Sequence, residues 1–379
     1  MNNNYIFFIS GRSGGHLKPL LTVAKKINTT NNDNKIPFFI CSSSSIEKTI
    51  INDESFRYEI INLNPLPKNL NSYITYPFSF IESFYKIYTL HSSFKPKEIY
   101  TTGGDLTVFF MYTLFIKYAS IGSGYILFFK FITHYIYKKT KSTYYYIKKY
   151  FINCIILFIG INFYFITITQ YFKSDKIPFK IYLYCLDGIP GYSLKLLSLY
   201  ASQSKIVFKE TQQFLYSSKN CTLIDYPLSF EKKNISCIER NTLKKNLNIP
   251  LDKKIVLVLG GSQGSTDIVL RVTDYIENNN TEKYFFIIQT GNNTHSKKTF
   301  PNVTYYNFIK NIQNYYEIAD YAISRAGSGT LHELLHFNIP TYIIPLEGCA
   351  QNHQVINAEL MEKINKNSMK YKIPLEQFL

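Results

Sequence analysis

The chain contains no tryptophan and only six cysteines in 379 residues. The cysteines stand at positions 41, 154, 185, 221, 237 and 349, and no two of them form a C-x-x-C pair. That pattern argues against a disulfide framework and fits reduced thiols in the cytoplasm. No secretory leader is expected either: the start, MNNNYIFFISGRSGGH, carries a very short apolar run that leads into glycines. Acidic residues are scarce. Asp and Glu number 26 against 42 Lys and Arg, which leaves a formal net charge of +16. Such a balance favours an anionic partner: nucleic acid, acidic lipid or a phosphorylated substrate. The 33 tyrosines and 30 phenylalanines, with abundant Lys, Asn and Ile, resemble the output of AT-rich coding, so part of the charge reflects codon usage. What is present suffices for packed cores: 46% of residues are hydrophobic, and the length suits two or three domains.

Along the chain, short apolar runs alternate with helical patterns. YIFFIS (5–10) reads as a buried parallel strand, followed by GRSGGHLKP and an apolar helix face. PFFICSS (37–43), EIYTTGG (98–104), KIYLYC (180–185), KIVF (205–208) and TLIDYP (222–227) continue the first series. A second series opens with KKIVLVLGGSQGS (253–265). It runs on through YFFIIQTG (284–291), VTYYNF (303–308), YAISRAG (321–327) and TYIIPL (341–346). Two such alternations predict two doubly wound α/β domains, with ligands at the carboxyl ends of the strands, where the Gly-rich loops lie.

Residues 119–175 interrupt an ordinary helix-to-strand connection. Within them FINCIILFIGINFYFITITQYF (151–172) carries no charge and is long enough to span a bilayer. A less clean run (118–137) contains Lys130 and His134, and between the two lies a basic, tyrosine-rich link, KKTKSTYYYIKK (138–149). A buried hairpin of core helices is the bland alternative. Because both flanks belong to one α/β domain, the segment must cross a membrane an even number of times. A two-pass hairpin stays open, but it places the basic link outside, against the positive-inside rule. The expectation is therefore a monotopic or re-entrant insert, with lysines on anionic headgroups and aromatics at the interface.

The stretch RAGSGTLHELLH (325–336) admits two readings. His332-Glu333-Leu334-Leu335-His336 fits H-E-x-x-H, which puts two histidines on one helix face as a zinc peptidase needs, with Glu359 as a third ligand. The pattern is short, however, and leaves the other Gly-loops unexplained. Arg325 to Thr330 reads instead as a Gly-rich turn opening a helix, where free amides and the helix dipole hold phosphate. GGSQGS (260–265) offers a second such cradle after a strong strand, with Ser262 and Ser265 as extra donors. Glu333, one turn into its helix, can accept both hydroxyls of a ribose. The nucleotide reading is preferred.

Taken in order, GRSGGHLKP, GGSQGS, RAGSGTLHE and NHQVINA resemble the MurG family. Its members are peptidoglycan glycosyltransferases that move N-acetylglucosamine from UDP-GlcNAc to a lipid-linked muramyl pentapeptide. The resemblance covers most of the chain outside 119–175. It implies an α/β fold of GT-B type: two Rossmann-like doubly wound domains facing a cleft, here with the apolar helical insert in the first. Residues 1–228 correspond to the acceptor domain and 229–379 to the donor domain. The family usually continues beyond the equivalent of Leu379 through a helix that crosses back.

The roles implied by the resemblance are specific. Ser13, Gly14, Gly15 and His16 match the family's first loop, near the acceptor and the sugar diphosphate, and His16 is the expected catalytic base; a loop-capping role for it is the alternative. Gly103 and Gly104 match a second glycine pair on the acceptor side, where Asp187 also falls. Gly261, Ser262, Gln263 and Gly264 match the loop on the donor phosphates. Arg325, Gly327, Thr330 and Glu333 match R-x-G-x-x-T-x-x-E, in which the glutamate holds the ribose. His353, Gln354 and Asn357 fall where the family reaches the GlcNAc hydroxyls. No metal or cofactor is expected.

The chain departs from the family at several points. Arg12 replaces a glycine, Tyr184 to Asp187 replace H-E-Q-N, and Ser229 stands where an arginine is usual. These departures leave open a glycosyltransferase with another lipid acceptor, such as diacylglycerol, or a non-catalytic sugar-nucleotide-binding remnant. The expected partners are UDP-GlcNAc, an undecaprenyl-type acceptor and an anionic membrane surface, not nucleic acid. The expected location is the cytoplasmic face of the cell membrane, peripheral or monotopic.

Overall fold

β1 (Asn4–Ile9, NYIFFI) has five of its six residues buried. A strand apolar on both faces is stable only in the interior of a sheet covered on both sides. In the computed structural model, which describes residues 4–11, 14–30, 34–63, 70–118, 178–233, 235–261, 265–291, 298–346, 348 and 352–379, β1 takes that place. It pairs in parallel with β2 (Lys35–Ser42) and β4 (Glu98–Thr101). β3 (Arg57–Ile61) extends one edge, and β5 (Lys180–Cys185), β6 (Gln203–Ile206) and β7 (Cys221–Leu223) extend the other. The order is β3-β2-β1-β4-β5-β6-β7, with every pairing parallel. Among the described residues, the α-helices that accompany this sheet are α1 (Gly14–Thr30), α2 (Ser45–Asn52), α3 (Leu70–Phe94), α4 (Asp105–Tyr118) and α5 (Tyr192–Leu197).

Side chains alternate across a pleated strand, so each face of the sheet is built separately. On one face Phe7, Ile9, Phe38, Ile99, Ile181 and Leu183 join Ile87 of α3 and Phe110 and Leu114 of α4 in a single buried cluster. On the other, Phe39, Phe8, Tyr100 and Tyr182 stand directly opposite one another across β2, β1, β4 and β5. Their rings stack at 5.0, 4.9 and 4.7 Å in turn, with interplanar angles of 17°, 20° and 18°. Each such pair contributes about 0.5–1.5 kcal/mol beyond the area it buries. The aromatic excess therefore serves as a ladder that fixes the register of four strands.

One fully buried carboxylate ties the ends of β1 and β2 together. Glu47, in the first turn of α2, accepts from Ser10 Oγ at 2.6 Å, from Ser42 N at 2.8 Å and from Ser42 Oγ at 2.5 Å. Its own N–H is held by the N-cap Ser44. Burial, with the nearby Glu47 charge second, pushes the Cys41 thiol up to about 12, which keeps this buried cysteine protonated and unreactive.

The chain divides into two compact units, Met1–Cys185 with Pro190–Ile224, and Leu186–Ile189 with Asp225–Leu379. The second repeats the first's topology. Its strands are β8 (Lys254–Leu259), β9 (Tyr284–Gln289), β10 (Val303–Tyr306), β11 (Tyr321–Ser324), β12 (Thr341–Ile343) and β13 (Met369–Lys370), in the order β10-β9-β8-β11-β12-β13 and parallel throughout. Its helices are α6 (Cys237–Asn246), α7 (Thr266–Asn278), α8 (Ile312–Ile318), α9 (Ser328–His336), α10 (His353–Ile364) and α11 (Leu375–Phe378). The last turn is held by aromatic contact: Phe378 lies 5.7 Å from both Tyr321 and Tyr342.

Two strands go beyond the sequence reading. β3 and β13 are edge strands; β3 has two exposed residues and one fully buried, and β13 has two residues in all. Neither carries an apolar run. The apolar insert expected at 119–175 lies outside the described residues. Among the described residues no helix is long and apolar enough to cross a membrane.

Replacing Glu47 by Gln turns an amide nitrogen toward groups that need an acceptor. Glu47→Gln should lower the stability of the first unit by about 1–3 kcal/mol, the cost of losing hydrogen bonds to a buried charged group. The denaturant transition of that unit should shift accordingly, and an unmoved transition would remove Glu47 from the role given to it.

Candidate functional site

In the first unit two strand-end loops meet backbone to backbone. β1 runs through Ser10 and Gly11 toward α1, and β4 runs through Thr102, Gly103 and Gly104 into α4. Gly104 has φ of +96°, and a Cβ on it would lie 2.8 Å from Gly11 Cα. Only glycine satisfies both conditions. The contact is reinforced from three sides. Thr102 Oγ1 donates to the His16 carbonyl at 3.1 Å. Gly104 N donates to Ser193 Oγ at 3.0 Å, and Gly103 N to Thr101 Oγ1 at 2.9 Å. The His16 ring lies over Gly11, where an added Cβ would stand 3.0 Å from its Cδ2. His16 is half-buried, Gly15 exposed and Gly14 buried. The structure thus brings Gly14, Gly15, His16 and Gly104 together. Ser13 and Arg12 lie outside the described residues.

In the second unit the loop after β8 passes through Gly260 to Gly261 at φ +84°, and Ser262, Gln263 and Gly264 lie outside the described residues. The Gly261 carbonyl accepts from Gln289 Nε2 at 3.2 Å, while Gln289 Oε1 accepts from Ile309 N at 3.2 Å. α7 starts under the cap of Ser265, whose Oγ accepts from Ile268 N at 3.4 Å.

After β11 the chain passes Arg325 and Ala326 to Gly327, the N-cap of α9, which forms no side-chain cap bond. The first-turn amides of α9 therefore form a positive pole without a side-chain cap. Thr330 and Glu333 follow on this helix, both half-buried. Glu333 Oε2 accepts from the Tyr316 hydroxyl at 2.6 Å. Gln354, in the first turn of α10, accepts from Leu346 N through Oε1 at 2.9 Å, which points its amide nitrogen the other way. His353 is half-buried beside it and follows Asn352, a left-handed N-cap at φ 51°.

Two of the residues expected at the ligand are held by protein partners. Arg325 is 8% exposed, and its guanidinium is fully engaged by protein. Nε and one terminal nitrogen donate to Ser265 Oγ at 3.1 and 2.5 Å; that nitrogen also meets Asp267 Oδ2 at 3.2 Å; the other donates to the carbonyls of Ile344 and Pro345, each at 3.2 Å. Each of the five N–H groups of the guanidinium thus has a protein acceptor. Asn357 is fully buried. It accepts from Gly188 N at 2.8 Å and donates to Asp187 Oδ1 at 2.9 Å and the Ala326 carbonyl at 3.1 Å. Its amide thus joins the 187–188 segment to the cradle and has no hydrogen left for a sugar. Asp187 is held by the same bond. Sequence reasoning missed Ser193, Gln289 and Tyr316. The one signal was Gln289, a lone polar residue at the end of the apolar run YFFIIQ.

The H-E-x-x-H histidines are used by the fold. His332 Nδ1 donates to the Ser328 carbonyl at 2.8 Å, and its ring stacks on Tyr226 at 4.7 Å. His336 Nε2 accepts from Lys232 N at 3.2 Å. Among the described residues no three His, Cys, Asp or Glu side chains are grouped to hold a metal ion. Burial lowers His332 to about 4. An unfolded histidine protonates near pH 6.5. Between the two values the unfolded chain binds more protons, so this contribution to stability is complete above about pH 6.5 and is lost as pH falls toward 4. The second unit of the His332→Gln variant should therefore lose stability less steeply than wild type on acidification from about pH 7 to about 4.5. Equal slopes in the two proteins would refute the assignment.

Comparison with known proteins agrees along the chain. The glycosyltransferase family 28 N-terminal domain model matches residues 6–114, and the C-terminal domain model matches residues 255–372. A relative from Caldicellulosiruptor saccharolyticus, named UDP-N-acetylglucosamine--N-acetylmuramyl-(pentapeptide) pyrophosphoryl-undecaprenol N-acetylglucosamine transferase, is 23% identical over 95% of this chain and 82% of its own length. A protein of the same name from Thermotoga sp. (strain RQ2) is 33% identical over 51% of this chain and 52% of its own. Among solved structures, Acinetobacter baumannii MurG superposes with a TM-score of 0.60 at 13% identity, covering 99% of this chain and 88% of that one. UDP-GlcNAc 2-epimerase from Neisseria meningitidis, bound to UDP-GlcNAc, does so with a TM-score of 0.51 at 12% identity over 96% of this chain and 92% of that one. The fold is GT-B-like, with two parallel-sheet domains. With both domain models matched in order and curated MurG enzymes aligned along nearly its whole length, the chain belongs to glycosyltransferase family 28.

Proposed function

We propose that the protein is an inverting glycosyltransferase that moves N-acetylglucosamine from UDP-GlcNAc to a lipid-linked muramyl-pentapeptide acceptor, a step of peptidoglycan synthesis. The observation that carries the reading is α9. Its first turn carries no side-chain cap at Gly327, and Glu333 stands on the same helix about one turn further on. Amides at such a helix start stabilise the diphosphate as it leaves, and a carboxylate at that distance accepts from ribose hydroxyls. Gln354 presents its amide nitrogen to the sugar, while Arg325 and Asn357 hold the loops rather than the ligand. His16 is the base: it takes the proton of the acceptor hydroxyl as that oxygen bonds to the anomeric carbon and the bond to UDP breaks. Its imidazole is half-buried over Gly11. The proposal calls for no metal.

The work is placed at the cytoplasmic face of the membrane. The lipid-linked acceptor, the formal charge of +16 and the basic, apolar 119–175 segment support that placement. A second reading, a transferase acting on another lipid acceptor, is favoured by one observation. Tyr184, in the segment that departs from the family, is buried, and its hydroxyl accepts from Lys205 Nζ at 3.0 Å.

Three measurements test the proposal. Glu333→Gln should weaken UDP-GlcNAc binding by roughly tenfold to a hundredfold in calorimetric titration, as expected for hydrogen bonds to a charged group; unchanged affinity sinks the donor site. His16→Ala should lower kcat by about two to four orders of magnitude with donor affinity intact. A full-rate His16→Ala enzyme would require another base. Deleting residues 119–175 should release the protein from membranes, and continued sedimentation with them would place the anchor elsewhere.

A further inference from the structure

Tyr316 belongs to no motif of the donor site. It lies in α8, before β11, and reaches α9 from beneath. Its side chain is 3% exposed. The ring packs against Phe337 at a centroid distance of 5.2 Å and Phe230 at 6.1 Å, so its direction is fixed by apolar neighbours. Its hydroxyl donates to Glu333 Oε2 at 2.6 Å, the short range of a bond to an ionised acceptor. Burial, reinforced by the Glu333 charge, raises the Tyr316 phenol well above its ordinary value, so the phenol stays a donor at every physiological pH.

A glutamate on a helix surface samples several rotamers, and each ribose hydroxyl it grips must repay the entropy of selecting one. A buried donor that engages one carboxylate oxygen removes that cost before the ligand arrives. We propose that Tyr316 is the positioning residue of the nucleotide site: it presets the Glu333 carboxylate, and through it the preference for a nucleotide bearing both ribose hydroxyls. This rests on the reading of Glu333 as the ribose acceptor. Tyr316 itself touches no substrate.

The test compares UDP with 2′-deoxy-UDP by calorimetry on the full-length, detergent-purified chain. Wild type should prefer UDP by roughly tenfold or more. Tyr316→Phe keeps the ring between Phe337 and Phe230 and removes only the hydroxyl. It should shrink the preference severalfold, weaken 2′-deoxy-UDP, which keeps the 3′ hydroxyl, by clearly less than it weakens UDP, and raise KM for UDP-GlcNAc with kcat little changed. Adding Tyr316→Phe to Glu333→Gln should change nothing further, the signature of two residues acting as one unit.

A structural loss would instead weaken both nucleotides equally, and that result overturns the proposal. If Glu333→Gln abolishes the preference while Tyr316→Phe retains it in full, the proposal falls and the ribose reading stands. If wild type shows no preference, or Glu333→Gln keeps it, the ribose reading fails and the proposal with it. Tyr316→His, which retains a ring donor, provides a second variant. It should restore part of the preference, and a preference as low as that of Tyr316→Phe would count against the proposal.

Discussion

The guanidinium of Arg325 ties together the loops at one end of the second unit's sheet. Three strand-end loops meet it: the start of α7 through Ser265 and Asp267, the turn into α9 through its own backbone, and the end of β12 through the carbonyls of Ile344 and Pro345. A charge that is 92% removed from solvent is costly unless every donor finds an acceptor with good geometry. Arg325 meets that condition, and a planar fork does so where a lysine, with three rotatable donors, would not. Asp267 supplies the countercharge from a side chain about half exposed, so the net electrostatic gain is modest. The importance of the arrangement lies in order: it sets the separation of the two helix starts to which the proposal assigns the diphosphate.

The first unit solves the matching problem with the opposite charge. Glu47 gathers the ends of β1 and β2 by accepting from Ser10 and Ser42, and the loop that follows Ser10 is then pressed against Gly104. The aromatic ladder of Phe39, Phe8, Tyr100 and Tyr182 sets the register of the same strands from the other end of the argument. Gly11, which follows a strand fixed in register and whose backbone touches Gly104, has little freedom left. His16 inherits that rigidity through its carbonyl bond to Thr102.

Much of this was legible in the sequence. Long apolar strands such as NYIFFI and KIVLVL announce themselves, because a parallel interior strand must be apolar on both faces. Glycines at their ends announce the loops for a related reason, since only glycine tolerates φ of +96° at Gly104 or +84° at Gly261. The edge strands β3 and β13 do not announce themselves. An edge needs only one buried face and one paired side, so RYEII and MK carry too little pattern. The protein partners of Arg325 and Asn357 were hidden for another reason. A motif reports that a residue type is needed at a position, and a polar side chain can be needed by the loop as much as by the ligand. Burial and hydrogen-bond partners separate the two cases, and neither is visible in a string of letters. Tyr316 was invisible because its hydroxyl acts across 17 residues onto a neighbouring helix.

The same observations constrain how a diphosphate can be held. Arg325 is engaged by protein, Ser229 stands where the family has an arginine, and His332 is neutral at physiological pH because burial lowers it to about 4. The proposed donor loops therefore rest on oriented amides: the first turn of α9, and the start of α7 with its Ser265 cap. Partial charges on fixed dipoles act over a single turn and need no side chain to be immobilised. In the proposed site they are also screened less than exposed lysines, because a diphosphate held by backbone amides leaves little room for intervening solvent. Affinity built in this way depends on the angle and spacing of helix starts. For that reason the proposed site needs the buried arginine that holds the helix starts as much as the glutamate proposed to hold the ribose.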